Sequence, residues 1–282
     1  MLALLASLVA DLPEATTAEA SVTVVRDVAY RPDLDDDAAR MCRVDVMHPN
    51  PMPSAAPVIV WFHGGGLTSG GRSFPVGLER QPFVVVTADY RLSPQVPVTT
   101  CLDDAAAAVA WARKNAATFG GDPDRVFVAG HSAGGYLASM IGLDRRWLAA
   151  FDESPDRLAG LIPYSGHTIT HFTVRKERGL ADTDIVVDDM APLAHLRADA
   201  PPMRLITGDR DLELLGRYEE NAYFWRMMQV IDHPDCELLE LEGFDHSGMR
   251  DPATPLLVNF VKRRVRELDA AKRTAPTPQP AN

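Results

Sequence analysis

The chain has 282 residues, with 28 Lys and Arg against 39 Asp and Glu, for a net charge of −11 at neutral pH. A single domain of that length buries about three quarters of the surface its unfolded form exposes, so it needs no disulfide or metal staple. The negative charge argues against nucleic acid and anionic membranes as partners. Cys42, Cys101 and Cys236 are scattered and odd in number. They read as small buried hydrophobes in a reducing compartment, which makes a cytoplasmic protein the expectation.

Residues 1–20 begin MLALLASLVADLPEA. The apolar run is short, has no basic residue before it and is followed by a poor cleavage site, so it reads as an N-terminal helix on the domain, with an atypical secretory signal as the alternative. No stretch approaches the roughly 18 to 20 apolar residues that span a bilayer. Two early strands follow, SVTVVRDVAY and CRVDVMHP, divided by the acidic turn Asp33 to Asp37. APVIVWFH is a buried strand that runs into GGGLTSGG, and PFVVVTADY is another. LDDAAAAVAWARKNAATFG reads as a helix, with Asp103 and Asp104 in its first turn and Gly120 and Gly121 past its end.

The strand RVFVAG is followed by the helix SAGGYLASMIG. LAGLIPYSG, MRLITGD and CELLELEG supply three more strands, and LLGRYEENAYFWRMMQVI and PLLVNFVKRRVREL the last two helices. Strands separated by helices predict a mostly parallel central sheet with helices on both faces, over residues 21–270. Residues 167–200 are too long for a simple connection and read as a small lid over one end of the sheet. Residues 271–282, rich in proline and polar side chains, read as a disordered tail.

Residues 129–136 are AGHSAGGY. By itself G-x-S-x-G recurs by chance in about one chain of this length in ten. Here it sits between a predicted strand and a predicted helix, where a tight turn lifts the serine hydroxyl out of the sheet. Ser132 is therefore the candidate nucleophile. A hydroxyl needs a base, and among eight histidines His246, in the loop LEGFDHSGM after a late strand, is best placed to reach it. The base needs an orienting carboxylate. RLITGDRDLELLG offers Asp209 and Asp211. Asp211 is preferred because it lies further out in the loop, and Glu213 ranks third. Acyl transfer also needs preorganised N–H donors for the oxyanion. His63-Gly64-Gly65-Gly66 follows its strand where such a loop belongs, so the candidate donors are the amides of Gly65, Gly66 and Ala133, with the His63 ring anchoring the loop.

In chain order, HGGG, DYRL (Asp89 to Leu92), GHSAG, GDRD and the histidine loop together resemble the α/β-hydrolases over about residues 22 to 266. In particular the chain resembles the microbial esterase/lipase group of hormone-sensitive-lipase and feruloyl/acetylxylan esterase type, which kynurenine formamidases also resemble. The resemblance implies an α/β-hydrolase fold, a Ser132–Asp211–His246 triad, no cofactor, and a structural role for Asp89 and Arg91 in bracing the oxyanion loop. No metal ligand is assigned. The expected activity is hydrolysis of carboxylic esters of small to medium size through an acyl-enzyme. An amidase or formamidase with the same triad is the first alternative, and a non-catalytic binding protein on this fold is the second. The expected partner is a small-molecule ester, with oligomeric state left open. The short lid argues against long-chain triglycerides. Its cluster Arg175, Lys176 and Arg178 reads as a solvated helix face, with contact to an acidic substrate group as the alternative. Met190, Leu193 and Leu196, on the expected lid helix DDMAPLAHL, are the candidate apolar contacts to substrate, with core packing as the equal alternative.

Overall fold

The structure, a computed structural model, describes residues 21–274 apart from the side chains of residues 36 and 37. The expected N-terminal helix over residues 1–20, and residues 275–282 of the expected tail, lie outside the described residues. Eight strands form one sheet: β1 (Ser21–Ala29), β2 (Arg43–Asn50), β3 (Ala56–Phe62), β4 (Val84–Ala88), β5 (Gly121–His131), β6 (Gly160–Tyr164), β7 (Met203–Gly208) and β8 (Cys236–Leu241). Their spatial order is β1-β2-β4-β3-β5-β6-β7-β8. β2 runs antiparallel to β1 and β4, and the strands from β4 to β8 run parallel.

Seven α-helices accompany the strands among the described residues: α1 (Asp36–Met41), α2 (Val98–Asn115), α3 (Ala133–Leu143), α4 (Arg145–Ala149), α5 (Phe172–Glu177), α6 (Arg217–Val230) and α7 (Thr254–Thr274). The two-residue side-chain period of a strand sorts them onto two faces. Val58, Val60 and Phe62 of β3 join Val126 and Val128 of β5 in a core with α2, α3 and α6. Ile59 and Trp61 join Phe127 and Ala129 in a second core against α7. The central strands are apolar on both sides because both sides are covered.

Several sequence expectations move. The acidic turn after β1 is a short helix, α1, with Asp35 accepting from the Ala38 N–H at its start. α2 begins at Val98, so Asp103 and Asp104 fall in its second turn. The earlier start has a tertiary cause: the Glu177 carboxylate of α5 accepts from the Val98 N–H at 3.1 Å. α7 continues to Thr274, past the expected start of the tail at residue 271. Between residues 167 and 200 lie one six-residue helix, α5, and a 3-10 turn over Pro192–His195 where a lid helix was expected.

Candidate active site

Ser132 stands between the last residue of β5 and the first of α3 at φ 58° and ψ −115°, a strained conformation for a side-chain-bearing residue. The glycines around it follow from close backbone approaches. A Cβ on Gly130 would lie 2.5 Å from the Gly134 carbonyl carbon, and one on Gly134 would collide with the Phe62 carbonyl oxygen of β3. The Ser132 N–H donates to the Tyr164 carbonyl at 2.8 Å, which fixes the turn against β6.

His246, in the loop between β8 and α7, brings its Nε2 to 2.9 Å from Ser132 Oγ. Its Nδ1 lies 2.8 Å from Glu213 Oε2. A carboxylate only accepts, so Nδ1 carries the proton and bare Nε2 accepts from the Ser132 hydroxyl. The Glu213 side chain is 1% exposed. Its Oε1 accepts from Ser165 Oγ at 2.6 Å and from the Gly208 N–H at 2.8 Å. Burial alone would raise the carboxyl pKa. The bonds from His246, Ser165 and Gly208, with the histidine's charge, outweigh it and draw the pKa down to about 2.

The structure does not bring Asp211 to the histidine. Asp211 is exposed, with its own N–H donating to Asp209 Oδ1 at 2.9 Å. Asp209 ties the turn to the histidine loop by accepting from the Gly243 N–H at 2.7 Å. The Leu212 and Glu213 N–H groups both donate to the Asp209 carbonyl at 2.9 Å. The chain thus coils one turn, leaves Asp211 outside and returns Glu213 above Gly208. A run of carboxylates at 209, 211 and 213 shows that an acid is near. Which of the three faces the histidine is decided by contacts from other elements, Gly243 on Asp209 and Ser165 and His246 on Glu213.

The loop after β3 takes left-handed backbone at Gly65 (φ 109°) and Gly66 (φ 64°). Among the described residues the amides of Gly65, Gly66 and Ala133 donate to no other protein group. His63 stacks on Tyr90, with centroids 4.5 Å apart, and its Nδ1 lies 2.7 Å from the Gly64 carbonyl. Asp89 and Arg91 do not pair with each other. Asp89 takes the Arg72 guanidinium and accepts from the Arg72 N–H at 2.6 Å. Arg91 binds fully buried Asp104 through Nε and Nη2, both at 2.7 Å.

His131, inside the serine motif, joins the site from behind. Its Nε2 lies 2.7 Å from the His246 carbonyl, and burial first, then the neighbouring His246, lowers its pKa to about 4. The neutral ring donates to that carbonyl and holds the histidine loop against the elbow.

Three comparisons bear on this arrangement. The BD-FAE family model matches residues 44–158. Carboxylesterase NlhH of Mycobacterium tuberculosis is 41% identical over 142 residues, 46% of this chain and 42% of that protein. Esterase LipC of the same organism is 30% identical over 235 residues, 75% of this chain and 57% of that protein. The chain spans about half the length of the curated relatives it matches. The solved structure of the thermophilic esterase Est2 of Thermogutta terrifontis with propionate bound superposes with a TM-score of 0.64 at 24% identity, over 93% of this chain and 97% of that one. The chain has the α/β-hydrolase fold.

In this fold the segment after β6 packs directly on the glycine loop after β3. Thr173 Oγ1 donates to the Gly66 carbonyl at 2.5 Å, and the half-buried Phe172 ring lies 3.0 Å from where a Gly66 Cβ would stand. His167 and His171 are buried, and burial holds both pKa values well below the usual histidine range. Arg175 is buried too, not part of a solvated face; its Nη1 donates to the Asp184 carbonyl. Lys176 and Arg178 are exposed, and Arg178 pairs with Asp188. Met190 is 4% exposed within the main core, and its carbonyl accepts from the Tyr136 hydroxyl at 2.8 Å. Leu193 and Leu196 are half-buried against the same core. All three therefore take part in core packing. Cys42, Cys101 and Cys236 are free thiols, and burial raises each pKa. No helix among the described residues is long and apolar enough to cross a membrane.

Proposed function

We propose that the protein hydrolyses carboxylic esters with small to medium acyl groups through a covalent acyl-enzyme. The carrying observation is the continuous chain Ser132 Oγ, His246 Nε2, His246 Nδ1, Glu213 Oε2, with contacts of 2.9 and 2.8 Å. Ser132 Oγ attacks the ester carbonyl carbon while its proton passes to His246 Nε2. The imidazolium so formed is stabilised by the Glu213 carboxylate, which stays ionised because its pKa is about 2.

Negative charge on the former carbonyl oxygen meets the amides of Gly65, Gly66 and Ala133. The tetrahedral species collapses by breaking the bond to the alcohol oxygen, which takes the proton from Nε2 and leaves. Water then enters. His246 removes its proton, the oxygen attacks the acyl carbon, and the bond to Ser132 Oγ breaks as the proton returns to it. The product is a carboxylic acid.

The esterase names of the relatives support the reaction class, and the propionate held by Est2 supports a short acyl group. The test is turnover of p-nitrophenyl acetate by the parent and by Ser132→Ala. Burst release of p-nitrophenol from the parent, absent in the variant, is the expected result. Equal turnover by the two proteins would overturn the reading.

A further inference from the structure

The residue after β6 is a serine in an unusual place. Ser165 is fully buried and has a φ of 45°, in the left-handed region that glycine occupies without strain. A glycine would complete the turn without that strain, so the hydroxyl needs its own explanation. It lies between the acid and the base: Ser165 Oγ is 2.6 Å from Glu213 Oε1 and 3.0 Å from His246 Nδ1.

The surrounding structure fixes this position from several directions. The Ser165 N–H donates to the Ile206 carbonyl of β7 at 2.7 Å. Its carbonyl accepts from Nη1 of Arg217, whose side chain is buried in α6. The next carbonyl, Gly166, accepts from Asn221 Nδ2 at 2.8 Å, also from α6. Two side chains of one helix thus hold the backbone that presents the hydroxyl.

On the triad reading proposed above, we infer that Ser165 is a positioning residue for the Glu213–His246 pair. Its hydroxyl donates to Oε1, a charge-assisted bond. Together with the Gly208 N–H it fixes the rotation of the carboxylate, so that Oε2 alone faces the imidazole. A glutamate has one more torsion than an aspartate and needs that restraint. The hydroxyl's lone pair faces Nδ1–H and serves as a second acceptor when the ring becomes charged. Both effects grow as the imidazolium forms. They therefore act on the transition state more than on bound substrate.

The experiment compares Ser165→Ala and Ser165→Gly with the parent on p-nitrophenyl acetate. In parallel, a p-nitrophenyl phosphonate labels the nucleophile, with the modified residue found by mass spectrometry. Glycine suits the left-handed backbone, so the second variant folds even if alanine strains the turn. Removing a hydrogen bond to a charged group should lower kcat about 10- to 100-fold in both variants, with KM within about twofold of the parent. Ser132 should remain the labelled residue, at a correspondingly lower rate. A folded Ser165→Gly protein with parental kcat and parental labelling of Ser132 would overturn the role of Ser165 alone. A parent not labelled at Ser132 would overturn the triad reading, and this inference with it.

Discussion

The turns after β5 and after β7 each deliver one member of the proposed triad, but they are held by different means. At Ser132 the turn between β5 and α3 is held by close backbone approaches to the neighbouring strands β3 and β6. Gly130 and Gly134 remove side chains where backbones meet, and a single N–H bond to Tyr164 closes the arrangement. At Glu213 the turn is held from a distance. Asp209 reaches Gly243, Arg210 pairs with Glu240, and the Glu213 carboxylate itself bonds to Ser165 and His246. The first turn is a steric device, and the second is a network of long-range polar contacts.

Ser132→Ala is the largest expected effect and tests the steric turn. Losing the nucleophile should lower kcat on the order of 10⁶-fold, with the fold retained, because alanine fits the space. Turnover of p-nitrophenyl acetate, with circular dichroism as the control, is the measurement. The polar network is tested by Glu213→Gln. Glutamine fills the same volume but no longer balances the imidazolium, and the expected loss is about 10⁴-fold in kcat. Asp211→Asn, exposed and away from the histidine, should leave kcat within about twofold. A large loss at Asp211 with little at Glu213 would show that the loop rearranges before reacting.

The same contrast explains what could be read from residues alone. The serine turn was legible because its determinants are adjacent in sequence: an apolar strand, G-x-S-x-G and an apolar helix. Placing His246 needed only the order of the elements. The carboxylate was not legible. Asp209, Asp211 and Glu213 differ by position within one turn, and the choice is made by Gly243, Ser165 and His246 from other elements. The pairing of Arg91 with Asp104 and of Asp89 with Arg72 escaped for the same reason. So did the burial of Arg175, because residues 167–200 have little regular structure and their packing on α3 and the oxyanion loop leaves no periodic trace.

A pH experiment probes the network more gently. The folded-state pKa of Glu213, about 2, lies below the ordinary value of 4.5. Its contribution to stability is therefore fully present above about pH 4.5 and is lost as pH falls towards 2. Glu213→Gln has no such titration. Across that window, chemical denaturation should show a shallower loss of stability with acid for the variant than for the parent. Parallel curves would mean that the carboxylate titrates normally and the network is looser than its distances indicate.

The smallest effect concerns which side chain limits the acyl group. Met190 is packed in the core, while half-buried Phe172 lies against Gly66, one of the proposed oxyanion donors. Phe172→Ala should open space next to the acyl carbon. Each added methylene buried there gains about 0.8 kcal/mol, or roughly fourfold in kcat/KM. The preferred ester should lengthen by one or two carbons relative to the parent, whose optimum is expected at butyrate or shorter. Met190→Ala should instead leave a cavity and lower stability by about 2 to 5 kcal/mol, with the chain-length optimum unmoved. The measurement is kcat/KM across acetate, butyrate, hexanoate and octanoate esters, with thermal melts of both variants. A shifted optimum in Met190→Ala and none in Phe172→Ala would place the acyl group on the α3 side, and the loop after β6 would then be a brace for the oxyanion turn and not a wall of the pocket.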